Sequence, residues 1–133
     1  MIFLKNMLLL NHIAIIASSN KTVDFYKELG FIEKARTIRP ECHDELIYLS
    51  NGLITLEIYV DSTHPKRLSN PEAYGLRHLC FQVESIEDLA QKYGSEIKTD
   101  NKGRFIFIND PDNQPIEIRE IKPKSPNSWE FSE

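Results

Sequence analysis

The 133-residue sequence predicts an α+β protein in which two βαβββ modules form a curved, mixed β-sheet cleft around a metal site. Three observations predict it. A strand-like opening, Asn11-His12-Ile13-Ala14-Ile15, returns as Arg77-His78-Leu79-Cys80-Phe81. A second strand with a carboxylate between aliphatics, Leu56-Glu57-Ile58, returns as Ile116-Glu117-Ile118. The helix and turn signals around the two copies follow the same order, as expected of an internal repeat.

Residues 8–17 read as the first strand. Ser18-Ser19-Asn20 offers N-cap chemistry for a helix over 21–29, where Val23, Phe25, Tyr26 and Leu29 fall near helical spacing. Gly30 fits the position just past the helix end. A strand over 31–39, a loop over 40–44 and a hairpin of 45–50 with 53–60 around Asn51-Gly52 complete module one, residues 8–60. A linker follows over 61–74, marked by Pro65 and Pro71. Module two, residues 75–121, opens with a strand over 76–83. Ser85-Ile86-Glu87-Asp88 resembles a capping box and starts a short helix that Gly94 ends. A short strand over 96–99 and a hairpin of 104–109 with 115–121, around Asp110-Pro111-Asp112-Asn113-Gln114, complete it. The modules build a single domain over 1–122, and 123–133 reads as a C-terminal tail.

Alternation along each strand places the chemistry on one face. Leu79, Phe81 and Val83 share a face, and His78, Cys80 and Gln82 the other. Ile54, Leu56 and Ile58 lie opposite Thr55, Glu57 and Tyr59; Ile116 and Ile118 lie opposite Glu117 and Arg119. The first strand is apolar on both faces apart from His12. A carboxylate among buried aliphatics costs several kcal/mol unless it is paired, protonated or metal-bound. His12, Glu57, His78 and Glu117 therefore form a ligand set for one divalent cation, and imidazole with carboxylate suits Ni, Zn, Co, Mn or Fe. A glutamate that loosens from the metal can move a proton as general base. His43, His64 and Cys42 fall in loops without a repeat partner, and Cys80 reads as a small filler. Lys66, Arg67, Arg77, Lys102, Arg104 and Arg119 are the candidates to hold an anionic substrate tail, with Arg119 foremost because it shares a face with Glu117.

Composition sets the outer limits. Hydrophobic content of 41% and charged content of 27% are those of an ordinary globular protein. The net charge of −4 argues against nucleic acid as a partner, which calls for a basic face. Two cysteines, Cys42 and Cys80, are too few for a disulfide scaffold and offer no Cys-x-x-Cys zinc motif. The apolar start has no basic n-region and runs straight into the first strand, and no run reaches transmembrane length, so no membrane partner and a cytoplasmic location are expected.

With these residues named, the chain resembles the glyoxalase I (lactoylglutathione lyase) branch of the vicinal oxygen chelate superfamily. The carriers are Asn11-His12-Ile13-Ala14-Ile15, Phe25-Tyr26-Lys27-Glu28-Leu29-Gly30-Phe31, Leu56-Glu57-Ile58, Gly75-Leu76-Arg77-His78-Leu79-Cys80-Phe81 and Asn109-Asp110-Pro111-Asp112-Asn113-Gln114-Pro115-Ile116-Glu117-Ile118. The resemblance implies the glyoxalase/bleomycin resistance/dihydroxybiphenyl dioxygenase fold, with His12, Glu57, His78 and Glu117 as metal ligands. It implies a lyase or isomerase acting on a small oxygen-chelating substrate such as a thiol hemithioacetal, with Glu117 as the base and Glu57 able to serve the opposite face. A homodimer is also implied. After Glu57 the chain continues Ile58-Tyr59-Val60-Asp61, unlike the Thr-His-Asn-Trp type of segment in glyoxalase I, so the thiol stays open. Other enzymes of the scaffold (epimerase, thiol transferase, dioxygenase) and a non-catalytic small-molecule-binding protein are the alternatives.

Overall fold

Both strands that carry the repeated glutamates pair on each side with another strand, so their backbone bonds are satisfied and their aliphatic faces can be buried. The computed structural model describes residues 5–121; the predicted tail, 123–133, lies outside the described residues. The chain divides into two compact units, Met1–Lys66 and Arg67–Glu133, and the boundary falls within the predicted linker.

Unit one runs β1 (Ile13–Ala17), α1 (Asn20–Glu28), β2 (Ile32–Arg39), β3 (Asp44–Ser50) and β4 (Thr55–Val60). The sheet order is β1-β4-β3-β2. β1 pairs parallel with β4, and β4-β3-β2 is antiparallel. Leu56 stands opposite Leu49, and Ile58 opposite Ile47. All four are fully buried, as are Val23 and Tyr26 of α1. Burying each such side chain stabilises by about 1.5–3 kcal/mol. Tyr26 meets Phe25 and Phe31 edge-on at 5.0 and 6.4 Å.

Unit two repeats the order: β5 (Leu79–Val83), α2 (Glu87–Tyr93), β6 (Lys98–Asp100), β7 (Gly103–Asn109) and β8 (Pro115–Glu120). Its sheet order is β5-β8-β7-β6, again with the first strand parallel to the last. Ile116 faces Ile108 and Ile118 faces Ile106, and Ile86 and Ala90 of the α2 region are buried in the same unit. Each unit is thus a βαβββ module with a four-stranded mixed sheet.

Several boundaries differ from expectation for local reasons. β1 begins at Ile13 instead of residue 8, because its register meets β4 at Leu56, one residue inside that strand. Leu8 and Leu10 consequently stay exposed. β5 likewise begins at Leu79, opposite Ile116. The first strand's second face is open and not core: Ile16 is 56% exposed. The Asn51-Gly52 turn is wider than a two-residue hairpin. Asn51 closes it by accepting bonds from the Leu53 and Ile54 amides on Oδ1 at 2.9 and 2.7 Å. Gly52 supplies a φ of 92° that a side chain would strain. In the second hairpin the buried Asp110 accepts from the amides of Asp112 and Gln114 at 2.8 and 3.0 Å, which is why aspartate begins that loop.

Candidate metal centre

The open face of each sheet carries one histidine and one glutamate. In unit one Glu57 pairs in register with Ala14 of β1 and Tyr48 of β3. His12, two residues before Ala14, shares that face by strand periodicity. Its Nε2 lies 3.5 Å from Glu57 Oε2. In unit two Glu117 pairs with Cys80 of β5 and Phe107 of β7. His78 Nε2 lies 3.1 Å from Glu117 Oε1, and its ring meets Phe107 edge-on at 5.2 Å. The side chains of Glu57 and Glu117 are only 17% and 12% exposed, so neither carboxylate is free in water.

These separations fit a shared cation. With metal–nitrogen and metal–oxygen bonds of about 2.1 Å, two donors of one ion stand about 3.0 Å apart at a right angle and about 3.4 Å apart at the tetrahedral angle. Each His–Glu pair therefore already has the spacing of a two-donor chelate. Among the described residues no group of three or more His, Cys, Asp or Glu side chains is gathered for a metal, so the four predicted ligands stand as two pairs, one in each unit.

Further partners surround each pair. Tyr59 Oη donates to Glu57 Oε1 at 2.7 Å, and that bond, then burial, raises the phenol's pKa. Arg119 donates to Glu117 Oε2 at 2.7 Å. His12 Nδ1 lies 2.8 Å from Asn11 Oδ1, and Arg77 stands 3.3 Å from His78 Nδ1. Cys80 is an exposed residue and not a buried filler. Partial shielding of its sulfur, and then Glu117 beside it, push its thiol up to about 11, so it is no thiolate at neutral pH.

Four of the six cations predicted to hold an anionic substrate tail, Arg67, Arg77, Arg104 and Arg119, are otherwise engaged. Arg119 is bound to Glu117 and Asp100 and stacks on Phe105 with 4.6 Å to the ring centroid. Arg104 holds Glu87 and Glu120. Arg77 pairs with Glu72. Arg67 donates to the carbonyls of Leu68, Leu76 and Arg77, so it staples a loop. Sequence reading placed Arg119 correctly beside Glu117 but missed its role as that carboxylate's partner. It missed Tyr59 as well, although the two-residue spacing from each glutamate was the available signal. His64 lies 3.6 Å from Asp61, and the described residues give it no place in either pair.

No family model matches the chain. The chain is 38% identical over 122 residues to the uncharacterized protein YwkD of Bacillus subtilis, a match covering 84% of this chain and 95% of that one. The crystal structure of a glyoxalase family protein from Enterococcus faecalis is 39% identical, with a TM-score of 0.75 over 84% of this chain and 97% of the other. The fosfomycin resistance protein FosX of Listeria monocytogenes, at 21% identity and a TM-score of 0.63, covers 88% of this chain and 95% of its own; that likeness is one of fold. No helix among the described residues is long and apolar enough to cross a membrane.

Proposed function

Because the chain belongs to the glyoxalase family of the vicinal oxygen chelate superfamily, we propose that it is a metal-dependent lyase or isomerase acting on a small oxygen-chelating substrate. The observation that carries this reading is the repeated His–Glu pair, at 3.5 Å in one unit and 3.1 Å in the other. His12, Glu57, His78 and Glu117 would hold one divalent ion. The Mn(II) in the FosX complex with a dihydroxypropylphosphonic acid is support for an ion of that kind. A bound ion would supply Lewis acidity, making a C–H beside a chelated oxygen more acidic. Glu117 takes that proton on a carboxylate oxygen and returns it to the neighbouring carbon, a general-base shuttle within reach of one side chain. In this reading Glu57 is the alternative base, contributed by the other module. Phe105 and Phe107 stand on the Glu117 face of β7 and give it an apolar border. The engaged arginines favour a substrate whose recognition does not depend on an anionic tail. A homodimer belongs to the same reading, supported by the exposed apolar run of Leu8, Leu9 and Leu10.

The test is metal analysis of purified wild type beside Glu57→Gln and Glu117→Gln, followed by turnover of the methylglyoxal–glutathione hemithioacetal. The expected result is roughly one ion per chain, weakened in both variants, since losing a ligand costs at least as much as the ten- to hundred-fold loss seen for ligand-supporting residues. Failure of the wild type to take up nickel, cobalt, manganese or zinc would overturn the catalytic reading in favour of a metal-free binding protein.

A further inference from the structure

His78 stands one residue ahead of β5, whose first paired position is Leu79 opposite Ile116. The β5–β8 ladder therefore stops short of Leu76, Arg77 and His78. Yet the imidazole is held 3.1 Å from Glu117 and 5.2 Å from the Phe107 ring. The Arg67 guanidinium fixes the backbone ahead of the ladder. Its Nη2 donates to the carbonyls of Leu76 and Arg77, the two residues before His78, at 3.3 and 3.0 Å. Its Nε donates to Gln114 Oε1 at 3.3 Å. Its Nη1 donates to the Leu68 carbonyl and Ser69 Oγ at 3.1 and 3.3 Å. A guanidinium carries its five N–H donors in a rigid fork. Here five acceptors meet it, and all of them are neutral.

Gln114 is fixed in its turn. Its amide donates to the buried Asp110 carboxylate at 3.0 Å, and its carbonyl accepts from the Asp110 amide at 3.0 Å. Its Nε2 donates to the Pro115 carbonyl at 3.1 Å. Pro115 opens β8, the strand that carries Glu117. One cation thus joins the segment that ends at His78 to the turn from which the Glu117 strand starts. The whole arrangement lies within the unit Arg67–Glu133. Arg77 cannot supply the same hold, because its side chain is 64% exposed and its contact with His78 Nδ1 is 3.3 Å. His12 also stands one residue ahead of its strand, and its pair with Glu57 is longer, at 3.5 Å.

We propose that Arg67 is a positioning residue: by clamping the Leu76 and Arg77 carbonyls to Gln114, it sets His78 beside Glu117 before any ligand arrives. Bonds from an ionised donor are roughly twice as strong as neutral ones. A lysine is a single point of charge and cannot span the three segments that the fork reaches. Without the clamp the lead-in hinges at Leu79, and the imidazole swings with it. The link to function rests on the proposed reading of His78 and Glu117 as a metal-binding pair; the clamp itself needs only unit two.

The experiment follows the His78 and Phe107 ring protons by NMR in the metal-free, full-length protein, reading the Overhauser contact between the two rings. Wild type is compared with Arg67→Ala, Arg67→Lys and Gln114→Ala. Glu120→Ala is the control, since it loosens the opposite end of β8 without touching the clamp. The contact is expected to be strong in wild type and in the control, lost in Arg67→Ala and weakened in Arg67→Lys and Gln114→Ala. The His12 signals should stay in place throughout. Mn(II) titration is then expected to show affinity lowered about tenfold in Arg67→Ala, as for residues that orient a ligand. A wild-type contact in Arg67→Ala overturns the positioning role; if that variant fails to fold, the same result in Arg67→Lys and Gln114→Ala does so. An equal loss in Glu120→Ala marks general loosening and overturns it too. A contact that depends on Arg67, in a wild type that takes up no Mn(II), overturns the metal reading alone and leaves the clamp standing.

Discussion

The residue just before each histidine favours a different tautomer in the two units. Asn11 Oδ1, an acceptor, lies 2.8 Å from His12 Nδ1, a contact that favours the tautomer with the proton on Nδ1 and a lone pair on Nε2 toward Glu57. At the matching position unit two has Arg77, 3.3 Å from His78 Nδ1. A guanidinium only donates, so this contact favours the tautomer in which Nδ1 accepts and Nε2 carries the proton toward Glu117. Taking up a metal on Nε2 requires His78 to exchange tautomers and Arg77 to let go. Letting go is easy, because the Arg77 side chain is 64% exposed and keeps Glu72 as a partner. The two single substitutions should therefore act differently. Asn11→Ala is expected to weaken Mn(II) binding about tenfold by removing the acceptor that orients the ligand. Arg77→Ala should leave the affinity unchanged or raise it. Calorimetric titration of both variants checks this, and an equal loss from the two would refute the tautomer argument.

At the scale of elements, local signals were read well where they act locally. Ser19 accepts from the Lys21 amide at 3.2 Å as the cap of α1, and Gly30 and Gly94 follow their helices with positive φ. The start of α2 shows where such reading stops. The Ser85-Ile86-Glu87-Asp88 run suggested a capping box, yet the N-cap is Ile86, with no side-chain cap bond, and Ser85 Oγ donates to Glu87 instead. The Ile86 amide donates to Glu120 Oε2 at 3.3 Å, from the far end of β8. Glu120 in turn is fixed by two bonds from Arg104 at 2.8 Å. A cap that arrives from 34 residues away leaves no mark in the neighbouring sequence. Glu120→Ala is expected to destabilise by about 1 kcal/mol, the usual cost of a lost cap. Ser85→Ala should stay within about 0.5 kcal/mol, as for an ordinary surface change. Urea unfolding of the two variants decides, and a larger effect at Ser85 would return the capping role to the local motif.

Across the whole molecule, the repeat was legible because it recurs in residue type, order and strand period at once. The parallel pairing of β1 with β4 and β5 with β8, which seats each histidine beside its glutamate, was not legible, since no local signal specifies a partner strand. The arginine pairings were not legible, because a cation's partner lies wherever the folded chain brings a carboxylate. Those pairings set how the molecule answers acid. In unit one the bonds from Arg36 and Lys27 hold Glu33 down at about 2, and Arg39 and Thr63 lower Asp44 and Asp61. In unit two Arg104 lowers Glu87 and Glu120, and the Lys102 amide with Arg119 lowers Asp100. Every one of these folded-state pKa values lies below its unfolded value. Between the two values the unfolded chain binds more protons, so stability rises with pH there. The stabilisation is complete above the ordinary carboxylate range, near 4.5 for Glu33, and is lost as pH falls through the folded values toward about 2. Exposure and salt reduce its size, because several of these pairs are surface pairs. The urea midpoint is therefore expected to be level above about pH 5.5 and to fall steadily from there to about pH 2, more shallowly in high salt. Arg36→Gln should flatten the acid end of that curve by releasing Glu33. A midpoint that is flat down to pH 2, or that rises as acid is added, would show that these carboxylate pairs do not stabilise the fold.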